Sequence, residues 1–155
     1  MSYQPQGLLR IPTYVFGKLH KALYSQVNSS LREYWVLVCL EEQGDVSQQE
    51  ISNGMGIDRS EVVHIIDSLE SAGFVTRTRN EADRRKYRLD ITDVGRAERR
   101  RVTAQIDGAT ERVLNRLDDD ERATLHRLAL KAVGYDEYLQ PLPGPEFITA
   151  PGTHH

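Results

Sequence analysis

DRSEVVHIIDSLESAGFVTRTRNEADRRKYRLDIT, residues 58–92 of a 155-residue chain, holds two periodicities in succession. In its first half Val62, Ile65, Ile66 and Leu69 recur at helical spacing and share one face. After Gly73, a residue suited to the left-handed end of a helix, the pattern switches. Residues 74–79 and 85–91 read as strands; in the second, Tyr87, Leu89 and Ile91 alternate with Lys86, Arg88 and Asp90. Asn80 to Arg84 form a polar turn between them. A helix followed directly by a hairpin with a charged tip is the stretch of the chain that decides the fold.

Upstream, helix starts are marked by acids three residues after a capping side chain: Ser30 with Glu33, Ser47 with Glu50, Asp58 with Glu61, and later Asp118 with Glu121. In each pair the first side chain can accept from the third helical N–H while the acid returns to the cap. These spacings predict helices near 13–28, 31–43, 47–54 and 58–72. Helix 31–43 is apolar nearly all round from Tyr34 to Leu40, so it is expected to form the buried centre. Downstream, Thr92 caps a helix over 93–117 whose stripe is Val102, Ile106, Ala109, Val113 and Leu117, and a last helix follows Asp118. A helix that long outruns a domain this small, so its stripe is expected to meet a second copy. The tail, with Pro141, Pro143, Pro145 and Pro151, is expected to be extended.

Three helices and a hairpin, with the short glycine-containing turn Gly54 to Ile57 between the second and third, give the order of a winged helix-turn-helix. The fold class expected is mostly α with a small β wing. Residues 1–30 are read as an N-terminal dimerisation helix, 31–92 as the DNA-binding domain, 93–140 as C-terminal dimerisation helices and 141–155 as the tail. The helix after the turn is then the recognition helix, which fits the major groove. Its face away from the core carries Ser60, Val63, His64 and Asp67, with Arg59 flanking. An apolar Val63 there suits a thymine methyl, and Arg59 and His64 can donate to guanine N7 or to phosphate. The plainer alternative is an amphipathic helix with one exposed valine.

The net charge of −3 gives no hint of nucleic-acid binding, so any such reading rests on a local patch. The hairpin differs: residues 74–92 hold six basic residues (Arg77, Arg79, Arg84, Arg85, Lys86, Arg88) against three acids. Directly after a helix-turn-helix, that local surplus points to phosphate and minor-groove contact, and Arg79, Arg84, Arg85 and Lys86 are the candidates.

The Ile57-Asp58-Arg59-Ser60 start, Val62 through Glu70, Gly73-Phe74-Val75-Thr76-Arg77, Asp83-Arg84-Arg85 and Leu89-Asp90-Ile91-Thr92-Asp93-Val94-Gly95 resemble the MarR family of bacterial transcription regulators. The Asp-Arg-Arg wing followed by the Thr-x-x-Gly element is the most specific part. The resemblance implies a homodimer with interlocking terminal helices on a palindromic operator, Arg84 or Arg85 in the minor groove, and Asp83 bracing the wing through an arginine. Many members carry Thr and Arg where this chain has Val63 and His64, so base preference does not transfer. The family also places an effector pocket between the dimerisation helices and the winged domain. Arg10, Tyr14, His20, Tyr24, Tyr34 and Trp35 are the candidates, suited to an aromatic acid or phenol whose carboxylate pairs with Arg10.

Other chemistries find little support in the residues. His20, His64 and His126 lie far apart with no carboxylate or cysteine at ligand spacing, so no metal or other cofactor is expected. Cys39, the one cysteine, sits in the most apolar helix, where burial raises its pKa and leaves it inert. No nucleophile elbow, phosphate loop or catalytic carboxylate pair is present, so no enzyme is expected. No apolar run approaches the roughly 20 residues of a membrane span, and the N-terminus lacks a signal-peptide pattern, so the expected place is the cytoplasm. His154 and His155, which a purification tag would also leave, are kept out of the chemistry. The function expected is sequence-specific binding of duplex DNA, with repression released by a small molecule. The rivals are a metal- or redox-responsive regulator, which needs a ligand cluster or reactive thiol, and a winged-helix module that binds protein, which would lose the basic wing.

Overall fold

A computed structural model of the chain describes residues 5–44, 46–84, 87–135 and 137. The elements in order are α1 (Gln6–Leu9), α2 (Pro12–Tyr24), α3 (Leu31–Gln43), α4 (Gln48–Met55), α5 (Arg59–Ser71), β1 (Val75–Arg79), β2 (Tyr87–Ile91), α6 (Asp93–Val113) and α7 (Asp119–Ala132). The chain divides into two compact units, Asn28–Ala104 and the segments on either side of it, and α6 starts in the first and ends in the second.

Within Asn28–Ala104, each helix of the helix-turn-helix begins on a side-chain cap. Ser47 accepts from the Glu50 N–H at 3.3 Å while Glu50 Oε2 accepts from the Ser47 N–H at 2.8 Å, a complete capping box. Gly44 and Gly56 end α3 and α4 with positive φ, the conformation that favours glycine. Two of the four expected boxes do not close. Ser30 still accepts from the Glu33 N–H, and Asp58 accepts from Ser60 rather than from Glu61. The acids Glu33 and Glu61 are diverted: Ser68 donates to Glu33 at 2.6 Å, and Glu61 pairs with Arg32. A tertiary partner has displaced the local one, and the exchange cross-links α3 to α5.

The core of this unit is Val36, Leu37 and Leu40 of α3, Val46, Ile51 of α4, Val62, Ile65, Ile66 and Leu69 of α5, and Val75, Leu89 and Ile91 of the hairpin. The four α5 residues are the predicted inward face. Helix α3 is not buried all round, because Trp35 is 41% exposed and Cys39 half-buried. Only one side of α3 has core to meet, so the apolar residues on its other side stay partly in water.

The hairpin is antiparallel, with Val75 opposite Ile91, Arg77 opposite Leu89 and Arg79 opposite Tyr87. The alternation predicted Tyr87, Leu89 and Ile91 on one face, yet Leu89 is 0% and Tyr87 46% exposed. Strand β2 outruns the core, so its inward face continues into solvent at the tip.

The strand-to-helix junction explains the Thr-x-x-Gly element. Thr92 Oγ1 donates to the Gly73 carbonyl at 2.7 Å and accepts from the Gly95 N–H at 3.0 Å, and the Thr92 N–H donates to the Phe74 carbonyl at 3.0 Å. A Cβ on Gly95 would collide with the Phe74 carbonyl oxygen and stand 2.9 Å from Ile91 Cγ1. Thr92 thus caps α6, as predicted, and ties it to the entry of β1.

Inside the same unit, the Tyr34 hydroxyl lies 3.0 Å from Thr103 Oγ1, which itself donates to the Arg99 carbonyl at 2.9 Å, so Tyr34 donates to Thr103. Arg99 pairs with Glu41. Both links hold α3 against the first half of α6.

In the other unit, Pro12 opens α2 at a position where a missing N–H does no harm. The helix stops at Tyr24, short of the predicted 28, ahead of Asn28-Ser29-Ser30, whose side chains compete with helical hydrogen bonds. Helix α6 stops at Val113, leaving Leu117 of the predicted stripe outside it. The stripe also needs less cover than predicted: Val102, which belongs to the winged unit, and Ala109, in this one, are each 1% exposed within the single chain. Arg122 of α7 donates to the Leu114 and Leu117 carbonyls, both at 3.2 Å, and pairs with Glu111, closing the α6–α7 corner. Asp118 and Glu121 complete a second capping box. Helices α2 and α7 bury no residue, while Leu8, Leu9, Ile11, Val15, Phe16, Leu128 and Val133 are exposed. The tail from 138 onward, with its prolines and His154 and His155, lies outside the described residues.

Candidate nucleic-acid interface

The α5 face opposite the core stripe presents Ser60, His64 and Asp67, and Arg59, at the first position of the helix, flanks it; all four are exposed. Val63 is half-buried, on the flank of that face rather than at its crest. The Ser60 hydroxyl is engaged: it donates to Asp58 Oδ1 at 2.6 Å, and the Ser60 N–H does so at 2.8 Å. Those two bonds hold the Asp58 carboxyl below its ordinary pKa, the hydroxyl contributing most.

Asp67, near the crest, is matched by a cation from the hairpin. Arg77 Nη2 lies 2.6 Å from Asp67 Oδ1 and Nη1 3.1 Å from Glu70 Oε2. The opposite flank of α5 is held by the Arg32–Glu61 pair and the Ser68–Glu33 bond. Helix α5 is therefore gripped by α3 on one side and by β1 on the other, leaving Ser60 and His64 outward between the grips.

At the wing tip, Asn80 Oδ1 accepts from the Ala82 N–H at 2.9 Å and the Asp83 N–H at 3.3 Å, an Asx turn that shapes the loop. Arg79, Asn80, Glu81 and Arg84 line one open recess. Arg79 and Arg84 are exposed and neither forms an ion pair among the described residues. The six basic residues counted in the sequence are thus not equivalent. Arg77 is bound to α5, and Arg88 Nε lies 3.0 Å from Asp90 Oδ1 on its own strand. Arg85 and Lys86 lie outside the described residues. The role of Arg77 was not legible in a charge count, although its placement opposite Leu89, on the inward face of the hairpin, is a register consequence that strand alternation gives.

The effector candidates fall into the two units. Along α2, His20 and Tyr24 meet edge to face with ring centroids 4.7 Å apart. Tyr14 instead takes the Lys18 ammonium 5.3 Å over its ring. Arg10, at the end of α1, is exposed. In the winged unit Trp35 is exposed, while the hydroxyl of Tyr34 is committed to Thr103. Cys39 has its pKa raised, first by burial and then by Glu42, which disfavours the reactive thiolate. Among the described residues no three His, Cys, Asp or Glu side chains group as metal ligands, and no helix is long and apolar enough to cross a membrane.

The MarR family model matches residues 30–87, the span of the helix-turn-helix and wing through the start of β2. Over that span the chain is similar to the MarR family. Among curated MarR-type relatives, the HTH-type transcriptional regulator TtmR of Methylorubrum extorquens is 28% identical over 75% of this chain and 59% of its own length. PecS of Dickeya dadantii is 29% identical over 68% of this chain and 66% of its own. The chain thus spans about three fifths of TtmR and just under two thirds of PecS. These relatives are named as transcription regulators, not enzymes. Solved MarR-type structures align over nearly their whole length. The transcriptional repressor CouR, bound to a 23-mer DNA duplex, superposes with a TM-score of 0.75 at 26% identity, covering 85% of this chain and 99% of that one. PcaV of Streptomyces coelicolor, solved with its natural ligand, gives 0.70 at 24% identity, covering 86% and 97%.

Proposed function

We propose that this chain is a cytoplasmic, homodimeric regulator that binds duplex DNA at a palindromic operator and is released from it by a small molecule. The observation that carries the DNA reading is the pairing of the outward Ser60 and His64 of α5, with Arg59 flanking them, and a wing tip whose Arg79 and Arg84 have no counter-ion among the described residues. On a chain of net charge −3, those cations are where phosphate is attracted. The likeness to CouR, solved on DNA, supports the same reading. Arg85 and Lys86, adjacent in sequence to Arg84, extend the wing contact. Selection of bound sites from a random duplex pool tests it: an enriched palindrome is expected, and a pool that stays random after repeated rounds refutes sequence-specific binding.

The dimer reading rests on the unit built from α1, α2 and α7. Its helices bury no side chain in one chain yet expose Leu8, Leu9, Ile11, Val15, Phe16, Leu128 and Val133. Exposed apolar residues in that number suit a protein interface, and a second copy related by a two-fold axis supplies the cover and matches a palindrome. Effector release rests on Arg10, Tyr14, His20, Tyr24 and Trp35, of which His20 and Tyr24 already form an aromatic pair. An aromatic carboxylate or phenol is the class to screen. Calorimetric binding and a loss of DNA affinity on its addition are expected; DNA binding unaffected by every member of such a panel argues against release.

A further inference from the structure

Asp67 places a carboxylate on the α5 face that the proposed function turns toward the phosphate backbone, with Glu70 beside it one turn along. An uncompensated pair of acids there would repel a polyanion. Arg77 meets both, at 2.6 and 3.1 Å, from a strand rather than from the helix itself, and its side chain is 21% exposed against 52% for Asp67 and 41% for Glu70. It is the more buried partner, approaching from the protein side, so its own charge is turned inward while the carboxylates stand outward. The forked guanidinium can satisfy two carboxylates at once, which a lysine ammonium does as a point charge only.

We propose that Arg77 is a positioning residue that acts through Asp67 and Glu70: it is the internal counter-ion that makes an acidic recognition face tolerable to DNA, and it touches no phosphate itself. The inference rests on the DNA reading above and deepens it. It separates the basic residues of the hairpin into two groups, with Arg77 masking acids and Arg79 and Arg84 meeting the nucleic acid.

The test is the affinity for a random-sequence duplex as a function of salt, in the full chain, for the wild type, Arg77→Ala, Asp67→Asn/Glu70→Gln and the triple variant, each with its melting curve. Arg77→Ala is expected to weaken binding roughly tenfold at low salt, with a log–log salt slope that matches the wild type, because the same phosphates stay neutralised. The triple variant is expected to recover most of that affinity, because the acids that needed masking are gone. Asp67→Asn/Glu70→Gln alone is expected to bind at least as tightly as the wild type, and this arm decides the matter if Arg77→Ala does not fold. A slope lowered by about 0.9 in Arg77→Ala, with no recovery in the triple variant, shows that Arg77 neutralises a phosphate directly and overturns the proposal. So does a folded Asp67→Asn/Glu70→Gln variant with weakened affinity, or a folded Arg77→Ala that binds like the wild type. A wild type that binds no duplex at low salt overturns the DNA reading and this inference together.

Discussion

The α-carbon of Gly95 in α6 faces the carbonyl oxygen of Phe74 at the entry to β1 so closely that no side chain fits between them. The close approach lets the Thr92 hydroxyl serve both the Gly73 carbonyl and the Gly95 N–H. Gly95→Ala is expected to force α6 and β1 apart. Overpacking of this kind costs about 1–3 kcal/mol, and here the clash is with backbone, which cannot rotate away. Chemical denaturation of the variant checks it; an unchanged midpoint would mean that the junction yields freely.

The Asp58 cap makes the start of α5 sensitive to acid. Its carboxyl is held below the ordinary pKa by the Ser60 hydroxyl and N–H. A depressed folded-state pKa contributes stability that is present above the unfolded value and is lost as pH falls through the folded one. Protection of the Ser60 amide against hydrogen exchange, corrected for intrinsic rates, is therefore expected to hold at neutral pH and to fall once Asp58 protonates. Asp58→Ala should remove that pH dependence. If the variant keeps it, another group sets the cap.

At the wing, Arg79 and Arg84 carry charges that nothing among the described residues neutralises. Replacing both by Ala is expected to weaken binding to cognate and random DNA alike. The salt dependence should flatten by about 0.9 in log–log slope for each phosphate that is no longer neutralised. Titrations at several salt concentrations read this directly. A folded double variant with unchanged slope removes these residues from the interface.

On α5, His64 stands exposed on the outward face, whereas Val63 is partly covered. His64→Ala is expected to cost about 1–3 kcal/mol at a selected operator and little on random DNA if the ring reads a base edge. Binding across single-base operator variants decides the matter, because a phosphate contact would weaken all duplexes equally.

Phe16 is 63% exposed within the chain. Phe16→Glu is expected to leave the secondary structure of one chain largely intact while shifting the sedimenting species from dimer to monomer at micromolar concentration. A dimer that survives the substitution places the interface elsewhere.

Much of the fold was readable because it rests on local chemistry. Ser47 with Glu50 and Asp118 with Glu121 mark helix starts that fold as boxes, and Gly44, Gly56 and Gly73 lie where positive φ is needed. The misses are places where a distant partner displaced a neighbour. Glu33 and Glu61 have the spacing of capping acids but serve Ser68 and Arg32, and nothing within three residues of either announces that choice. Tyr87 obeys the alternation of its strand and still stands in solvent, because periodicity gives the face and not where the core ends. The candidate interface divides in the same way. The outward strip of α5 follows from helical geometry alone, whereas the separation of Arg77 from Arg79 and Arg84 needs the distances to Asp67 and Glu70.

Helices α2 and α7 have no side chain that one chain alone removes fully from water. For such a surface, dilution acts as a denaturant. With a second copy as the cover, each tenfold drop in copy number lowers the stability of the assembled state by about 1.4 kcal/mol. A sparse population would be frayed at these helices and open to proteases, an abundant one sealed against them. The lifetime of the molecule in the cell is then tied to its own abundance.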